Sequence, residues 1–172
     1  MREINHFIDG KAYAPKAARH GDVFNPNTGE VQARVGFGGA DVVDKAVAGA
    51  VKGQGEWAAM NPQRRARVLF KFKALVEAEM DELAHMLSSE HGKVIADSKG
   101  DVIRGLEVIE FACGVPHLMK GEYTESAGPG IDVYSMRQPL GVVAGISPFN
   151  FPAMIPMWFM GMALATGNAM VL

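Results

Sequence analysis

The chain has 172 residues, 17 basic and 19 acidic side chains, a net charge of −2, 48% hydrophobic residues and a single cysteine. Near neutrality excludes the basic excess with which a nucleic-acid binder neutralises phosphates, and the acidic excess of a solvating tail. One cysteine cannot close an internal disulfide, and Met1 to Gly10 carries Arg2, Glu3, His6 and Asp9 where a signal peptide would be apolar, so the chain reads as one cytoplasmic domain, or most of one.

Between Asn5 and Phe37 short apolar groups alternate with turn chemistry at Asp9-Gly10, Asn25 to Gly29 and Gly36, which predicts two hairpins in the segment 5–37. Val42, Val43, Ala46, Val47 and Ala50 then recur at helical spacing, predicting a first helix to about Lys52 with Asp41 as its cap. Asn61 caps a second helix that takes Pro62 in its first turn and presents Val68, Leu69, Phe72, Leu75 and Val76 as an apolar face. Its bases Arg64, Arg65, Arg67, Lys71 and Lys73 are followed by Glu77, Glu79, Asp81 and Glu82, with no interleaved aromatic platform. They read as a solvated helix surface. A third helix carries Leu83, Met86 and Leu87 and is ended by Gly92; a fourth runs from about Ala96 to Cys113 and is stopped by Pro116.

A hairpin is predicted in the segment 121–138, with Ser126 to Gly130 as its turn. Gly141 to Ile146 lacks polar residues, as a strand covered on both faces does. The elbow Ser147 to Pro152 follows, then a helix over Ala153 to Ala165, then Gly167-Asn168 and a strand from Ala169 to Leu172. Strand, crossover helix and strand make a right-handed βαβ unit, so the fold class is α/β. No residue after Arg137 is charged, yet a membrane span needs about 20 consecutive apolar residues. Ser147, Pro148, Asn150, Pro152, Pro156 and Asn168 interrupt the run, and no span is expected. Two strands and one helix cannot cover both faces of a parallel sheet, so the chain reads as part of a larger fold with an apolar patch at its end.

No Gly-rich dinucleotide or phosphate fingerprint and no zinc-protease or serine-elbow motif is present. Gly36 to Gly39 reads as a flexible turn. His6, His20, His85, His91 and His117 are scattered without partners at ligand spacing, and no metal site is expected. Cys113, among Ile109, Phe111 and Ala112, reads as a packed core thiol with no neighbouring cation or helix N-terminus to activate it. The elbow is the one segment that carries chemistry. It lies at the carboxyl end of a strand, where open α/β sheets bind ligands, and two prolines fix the backbone around Asn150. That amide is either a neutral donor for a developing oxyanion or the side chain of a local Asx turn.

Gly141 to Pro152, Gly-Val-Val-Ala-Gly-Ile-Ser-Pro-Phe-Asn-Phe-Pro, resembles the aldehyde dehydrogenase superfamily's motif around its catalytic asparagine. Phe7 to Gly10, Asn25-Pro26 with Thr28-Gly29, the Arg64 to Phe72 helix, Glu90 to Lys93 and Gly167-Asn168 follow that family's order. Phe149, with Phe151 to Trp158 and Asp101 to Leu106, resembles the CoA-acylating methylmalonate-semialdehyde dehydrogenases in particular. The resemblance implies the N-terminal portion of that fold across residues 1–172, a partial NAD-binding domain in which hairpins and helices lead into the first βαβ unit of a Rossmann-like sheet. The catalytic domain, with its cysteine, is expected beyond Leu172. The resemblance also implies NAD as cofactor, coenzyme A as co-substrate, a semialdehyde substrate and a homo-oligomer with the 121–138 hairpin in its contact region. Asn150 is implied to be catalytic, Ser147 and Phe149 to line the NAD cleft, and Arg104 to bind the substrate carboxylate, the alternative for Arg104 being a helix pair with Glu107 or Glu110. A non-catalytic remnant serving as an interaction module, or a dehydrogenase for another aldehyde, are the other readings.

Overall fold

The computed structural model describes residues 1–14 and 19–172. Its first elements are the strands β1 (Arg2–Ile4), β2 (His6–Ile8), β3 (Lys11–Tyr13), β4 (His20–Phe24) and β5 (Val31–Gly36). The pairs β2–β3 and β4–β5 are the two expected hairpins. Asp9 and Gly10, at φ 54° and 74°, close the first. In the second, the Asn25 Oδ1 accepts the Asn27 N–H at 2.9 Å, an Asx turn. Residues 15–18, within the same segment, lie outside the described residues. β1 pairs in parallel with β5, Arg2 opposite Ala33; this contact has no local turn signal and was not expected.

Helix α1 (Ala40–Ala59) is capped at Gly39 without a side-chain bond, so Asp41 is not the cap. It stands in the first turn, where a carboxylate favours the positive end of the helix. The helix also passes Lys52 and continues through Gly53 and Gly55. The Trp57 indole N–H donates to the Leu164 carbonyl at 2.8 Å, a tertiary bond that holds a last turn of weak intrinsic propensity. Helix α2 (Pro62–Ala78) starts as expected: the Asn61 Oδ1 accepts the Arg64 N–H at 2.9 Å. Its buried stripe is Arg65, Ala66 and Leu69, with Phe72 and Val76 alongside, whereas Val68 and Leu75 are exposed. Arg65 is therefore not part of a solvated surface. Helix α3 (Met80–His91) ends at Gly92, in the left-handed region at φ 87°. Helix α4 (Ile95–Ala112) is followed by a single turn, α5 (Val115–Leu118), with Pro116 inside its first turn, where the missing N–H is not needed; Pro116 belongs to that turn instead of stopping α4.

The core forms around α4. Val102, Leu106, Ile109 and Ala112 meet Ala66 and Leu69 of α2 and the Met157 and Ala165 side of helix α6 (Met154–Ala165). Two glycines let α4 and α6 approach: a Cβ on Gly105 would stand 3.2 Å from the Met157 Cβ, and one on Gly161 would stand 3.0 Å from the Ile109 Cδ1. The hairpin β6 (Tyr123–Gly128) and β7 (Ile131–Tyr134) stands away from this core, with every residue but Gly128 exposed. Its turn is tighter than expected, at Pro129-Gly130. The Ser126 to Gly128 stretch belongs to β6, where the register shifts and Ser126, at φ 54°, donates its N–H to Asp132.

The last unit is β8 (Val142–Ala144), α6 and β9 (Ala169–Val171), with β8 and β9 parallel as expected, Val142 opposite Ala169. The C-terminal turn of α6 has its carbonyls satisfied from several elements: Trp57 bonds Leu164, Arg65 bonds Ala165 at 3.0 Å, and Gln54 bonds Gly167 at 3.3 Å. The buried Asn168 accepts the Gly141 N–H at 3.0 Å and donates to Thr166, joining the helix end to the start of β8. The expectation that β8 is covered on both faces is not met. Its residues are half-buried and Ala144 is exposed, because among the described residues the parallel sheet has only two strands. No described helix is long and apolar enough to cross a membrane.

Candidate active site

Beyond β8 the Gly145 N–H still reaches the Val171 carbonyl at 2.9 Å, after which the chain leaves the sheet and Ile146 is 94% exposed. The elbow from 147 to 153 is held by a residue distant in sequence. Asp101 of α4, whose side chain is wholly buried, accepts the Met154 N–H on Oδ1 at 2.7 Å and the Lys93 ammonium on Oδ2 at 2.7 Å. A carboxylate at the first turn of α6 fills the capping role with a charge-assisted bond, and the lysine neutralises it. The Lys93 Nζ also stands 4.2 Å above the Phe151 ring, and His91 stacks on Phe149 with centroids 4.8 Å apart.

These contacts leave an open cavity of about 620 Å³ whose walls include His91, Lys93, Asp101, Arg104, Asn150 and Phe151. The exposed Arg104, one helical turn beyond Asp101, forms no ion pair with Glu107 or Glu110; Glu110 instead faces Lys73 at 3.4 Å. Among the described residues the Arg104 guanidinium forms no hydrogen bond, while its carbonyl accepts the Trp158 indole N–H at 3.2 Å. The Asn150 side chain is exposed and, among the described residues, closes no Asx turn; Asp101 bonds the Met154 N–H just beyond the elbow, and the Phe151 carbonyl accepts the Ile155 N–H at 3.3 Å. The fold thus brings Arg104 and Asn150 to one cavity. Phe149 lines a neighbouring apolar cleft of about 410 Å³ with Phe72, Leu83 and Val102, and His91 belongs to both. Ser147 is exposed on the elbow outside that cavity.

The profile of the aldehyde dehydrogenase family matches residues 13–172. The chain belongs to the aldehyde dehydrogenase family. It is 42% identical, over all of its 172 residues, to 34% of the malonate-semialdehyde dehydrogenase of Pseudomonas aeruginosa. It superimposes with a TM-score of 0.97 and 58% identity on a Sinorhizobium meliloti protein assigned as a methylmalonate-semialdehyde dehydrogenase and crystallised with NAD, covering 99% of this chain and 35% of that one. The methylmalonate-semialdehyde dehydrogenase of Oceanimonas doudoroffii gives the same TM-score at 44% identity, with 100% and 35% covered. The chain spans about a third of the length of these relatives and corresponds to the N-terminal third of the aldehyde dehydrogenase fold.

Within this aldehyde dehydrogenase segment, sequence reasoning passed over Asp101 and Lys93 as separate residues of two quoted stretches. One signal was available: Asp101 shares its helix face with Ser98, Val102, Gly105 and Ile109, all buried, and a carboxylate in an apolar stripe needs a partner. Cys113 is 5% exposed and packed in the α4 core. Burial, and then the charge of Glu110, pushes its thiol up, the opposite of activation. Among the described residues no three potential metal ligands gather.

Proposed function

We propose that this chain supplies the coenzyme-facing elbow and part of the substrate wall of an NAD-dependent, CoA-acylating methylmalonate- or malonate-semialdehyde dehydrogenase. That enzyme converts semialdehyde, CoA and NAD to propionyl-CoA or acetyl-CoA, carbon dioxide and NADH. The observation that carries the reading is the shared cavity: an arginine that pairs with no acidic side chain among the described residues and an exposed asparagine amide open into one space beside the carboxyl end of β8. All three relatives reported above are named for this substrate class, and the Sinorhizobium protein was crystallised with NAD.

Arg104 offers a planar guanidinium that can take the substrate carboxylate through two parallel hydrogen bonds, a geometry lysine cannot reproduce. Asn150 donates an amide N–H to the aldehyde oxygen. Charge develops on that oxygen only after nucleophilic attack, so a preorganised donor lowers the barrier more than it tightens binding. The elbow fits a dinucleotide: Ile146 and Phe149 expose apolar surface at the strand end, where a flat ring can lie, and Ser147 stands between them. The chemistry that bound NAD supplies is acceptance of a hydride from the aldehyde carbon. The attacking thiolate comes from outside these 172 residues, since Cys113 is buried in the helical core. The exposed Tyr123, Ile131, Val133 and Tyr134 of β6–β7 support the reading of that hairpin as a subunit contact in an oligomer.

The test extends this chain with the remaining two thirds of the Sinorhizobium relative and follows NADH formation with CoA present. Arg104→Ala should raise KM for methylmalonate semialdehyde by about 10- to 100-fold relative to propanal, the range expected for a charged hydrogen-bond pair. Equal losses on both substrates refute the carboxylate role. The 172-residue chain by itself should form no NADH, and activity that disappears in Cys113→Ala would refute the reading of that thiol.

A further inference from the structure

Asn150 has a phenylalanine on each side, and both rings are held by the end of α3 and the segment that joins it to α4. His91 stacks on Phe149, and Lys93 stands over Phe151. Lys93 is held in turn by Asp101, whose other oxygen takes the Met154 N–H. The asparagine side chain closes no turn of its own, so its place is inherited from its neighbours. From this geometry we infer that Asp101, acting through Lys93, is a positioning residue for Asn150. The inference deepens the proposed function and rests on its assignment of Asn150.

An ion pair this buried adds little net stability, because desolvating both charges offsets their attraction. What the pair does provide is location. It ties the backbone at Met154 and the ring at Phe151 to one point on α4, the helix that also carries Arg104. Arg104 and Asn150, the two groups proposed to meet the substrate, are thereby referred to a single rigid element, and the donor is aimed before the reaction begins. Asp101 touches neither substrate nor cofactor in this scheme.

The experiment is a double-mutant cycle in the completed chain. Asp101→Asn keeps an oxygen for the Met154 N–H but withdraws the charge from Lys93. It should lower kcat by about 10- to 100-fold with KM for the semialdehyde within about threefold, the scale expected when a catalytic group is misplaced by an ångström. In an Asn150→Ala background the same substitution should cost less than about threefold, because there is no donor left to aim. Equal costs in the two backgrounds, or a lowered melting temperature with turnover intact, overturn the inference. Should Asp101→Asn not fold, the pair Asp101→Asn with Lys93→Met removes both charges together and is read in the same cycle. A crystal structure of the variant gives a readout independent of turnover: Asn150 should leave its place while α4 and α6 stay, and an unmoved, ordered Asn150 overturns the inference. A parent enzyme that oxidises other aldehydes but no semialdehyde would refute the substrate assignment and leave this cycle fully readable.

Discussion

Arg65 is 2% exposed and, among the described residues, meets no carboxylate; its guanidinium donates to main-chain oxygens at two helix ends and, from Nη2, to the Met119 Sδ at 3.3 Å. Nε donates to Ala165, and Nη1 to Ala58 at 3.3 Å and to Met60. The carbonyl ends of α1 and α6 carry partial negative charge, which stabilises the cation in place of a counter-ion. Replacing Arg65 with Met keeps the apolar stem and strands three carbonyl acceptors, each worth about 1–3 kcal/mol if left unsatisfied. Against this stands the desolvation of the guanidinium, several kcal/mol, which also lowers its pKa. The net expectation for Arg65→Met is a loss of about 3 kcal/mol. At about 2–4 °C per kcal/mol for a domain of this size, the thermal midpoint of the chain, followed by circular dichroism, should fall by roughly 10 °C. Arg65→Lys should lose about half as much, since an ammonium keeps the charge but cannot span three oxygens. Arg64→Met, at an exposed position, should stay within about 0.5 kcal/mol. A base whose folded pKa is lowered loses stability at every pH below that value, so the deficit should be flat from about pH 5 to 9. A midpoint for Arg65→Met indistinguishable from that of Arg64→Met would refute this account.

Asn150→Ala in the completed enzyme should lower kcat by about 100- to 1,000-fold with an unchanged melting temperature, as loss of one oxyanion donor does; lowered melting with turnover intact would return Asn150 to a structural role. The Asp132 carboxyl is held below the usual range by the Ser126 N–H and then by the Tyr123 hydroxyl. A carboxyl with a depressed folded pKa contributes stability above its unfolded value of 3.8 that is lost as pH falls through the folded value. Protection of the β6–β7 amides from hydrogen exchange, taken relative to the intrinsic amide rate at each pH, should therefore fall below about pH 4 in the parent. In Asp132→Asn that acid step should vanish, and its persistence would refute the assignment. Native Cys113 should resist a thiol-specific disulfide reagent at neutral pH and react on unfolding, while Cys113→Ala leaves completed-enzyme turnover unchanged; rapid labelling of the folded protein would contradict its burial.

What the sequence determined by itself is what near neighbours control. Asn61 and Pro62 start α2, Gly92 stops α3, Asp9-Gly10 turns the first hairpin, and the apolar run, elbow and apolar helix of the last unit produce a parallel pair. Each is decided by caps, dihedral preferences or periodicity over a few residues. The elbow was also legible as a strand end before a helix, which is local information and is where the proposed chemistry is put. Only the tertiary structure decided which charges are buried and what they hold. Arg65 finds Ala165 across 100 positions and Asp101 finds Met154 across 53, while Val68 and Leu75, on the same helix as Arg65, face outward. Amphipathic spacing says that a helix has an inner face, but a carboxylate or guanidinium can join that face only where another element presents matching donors or acceptors. That match is set by how α4, α6 and the helix ends pack.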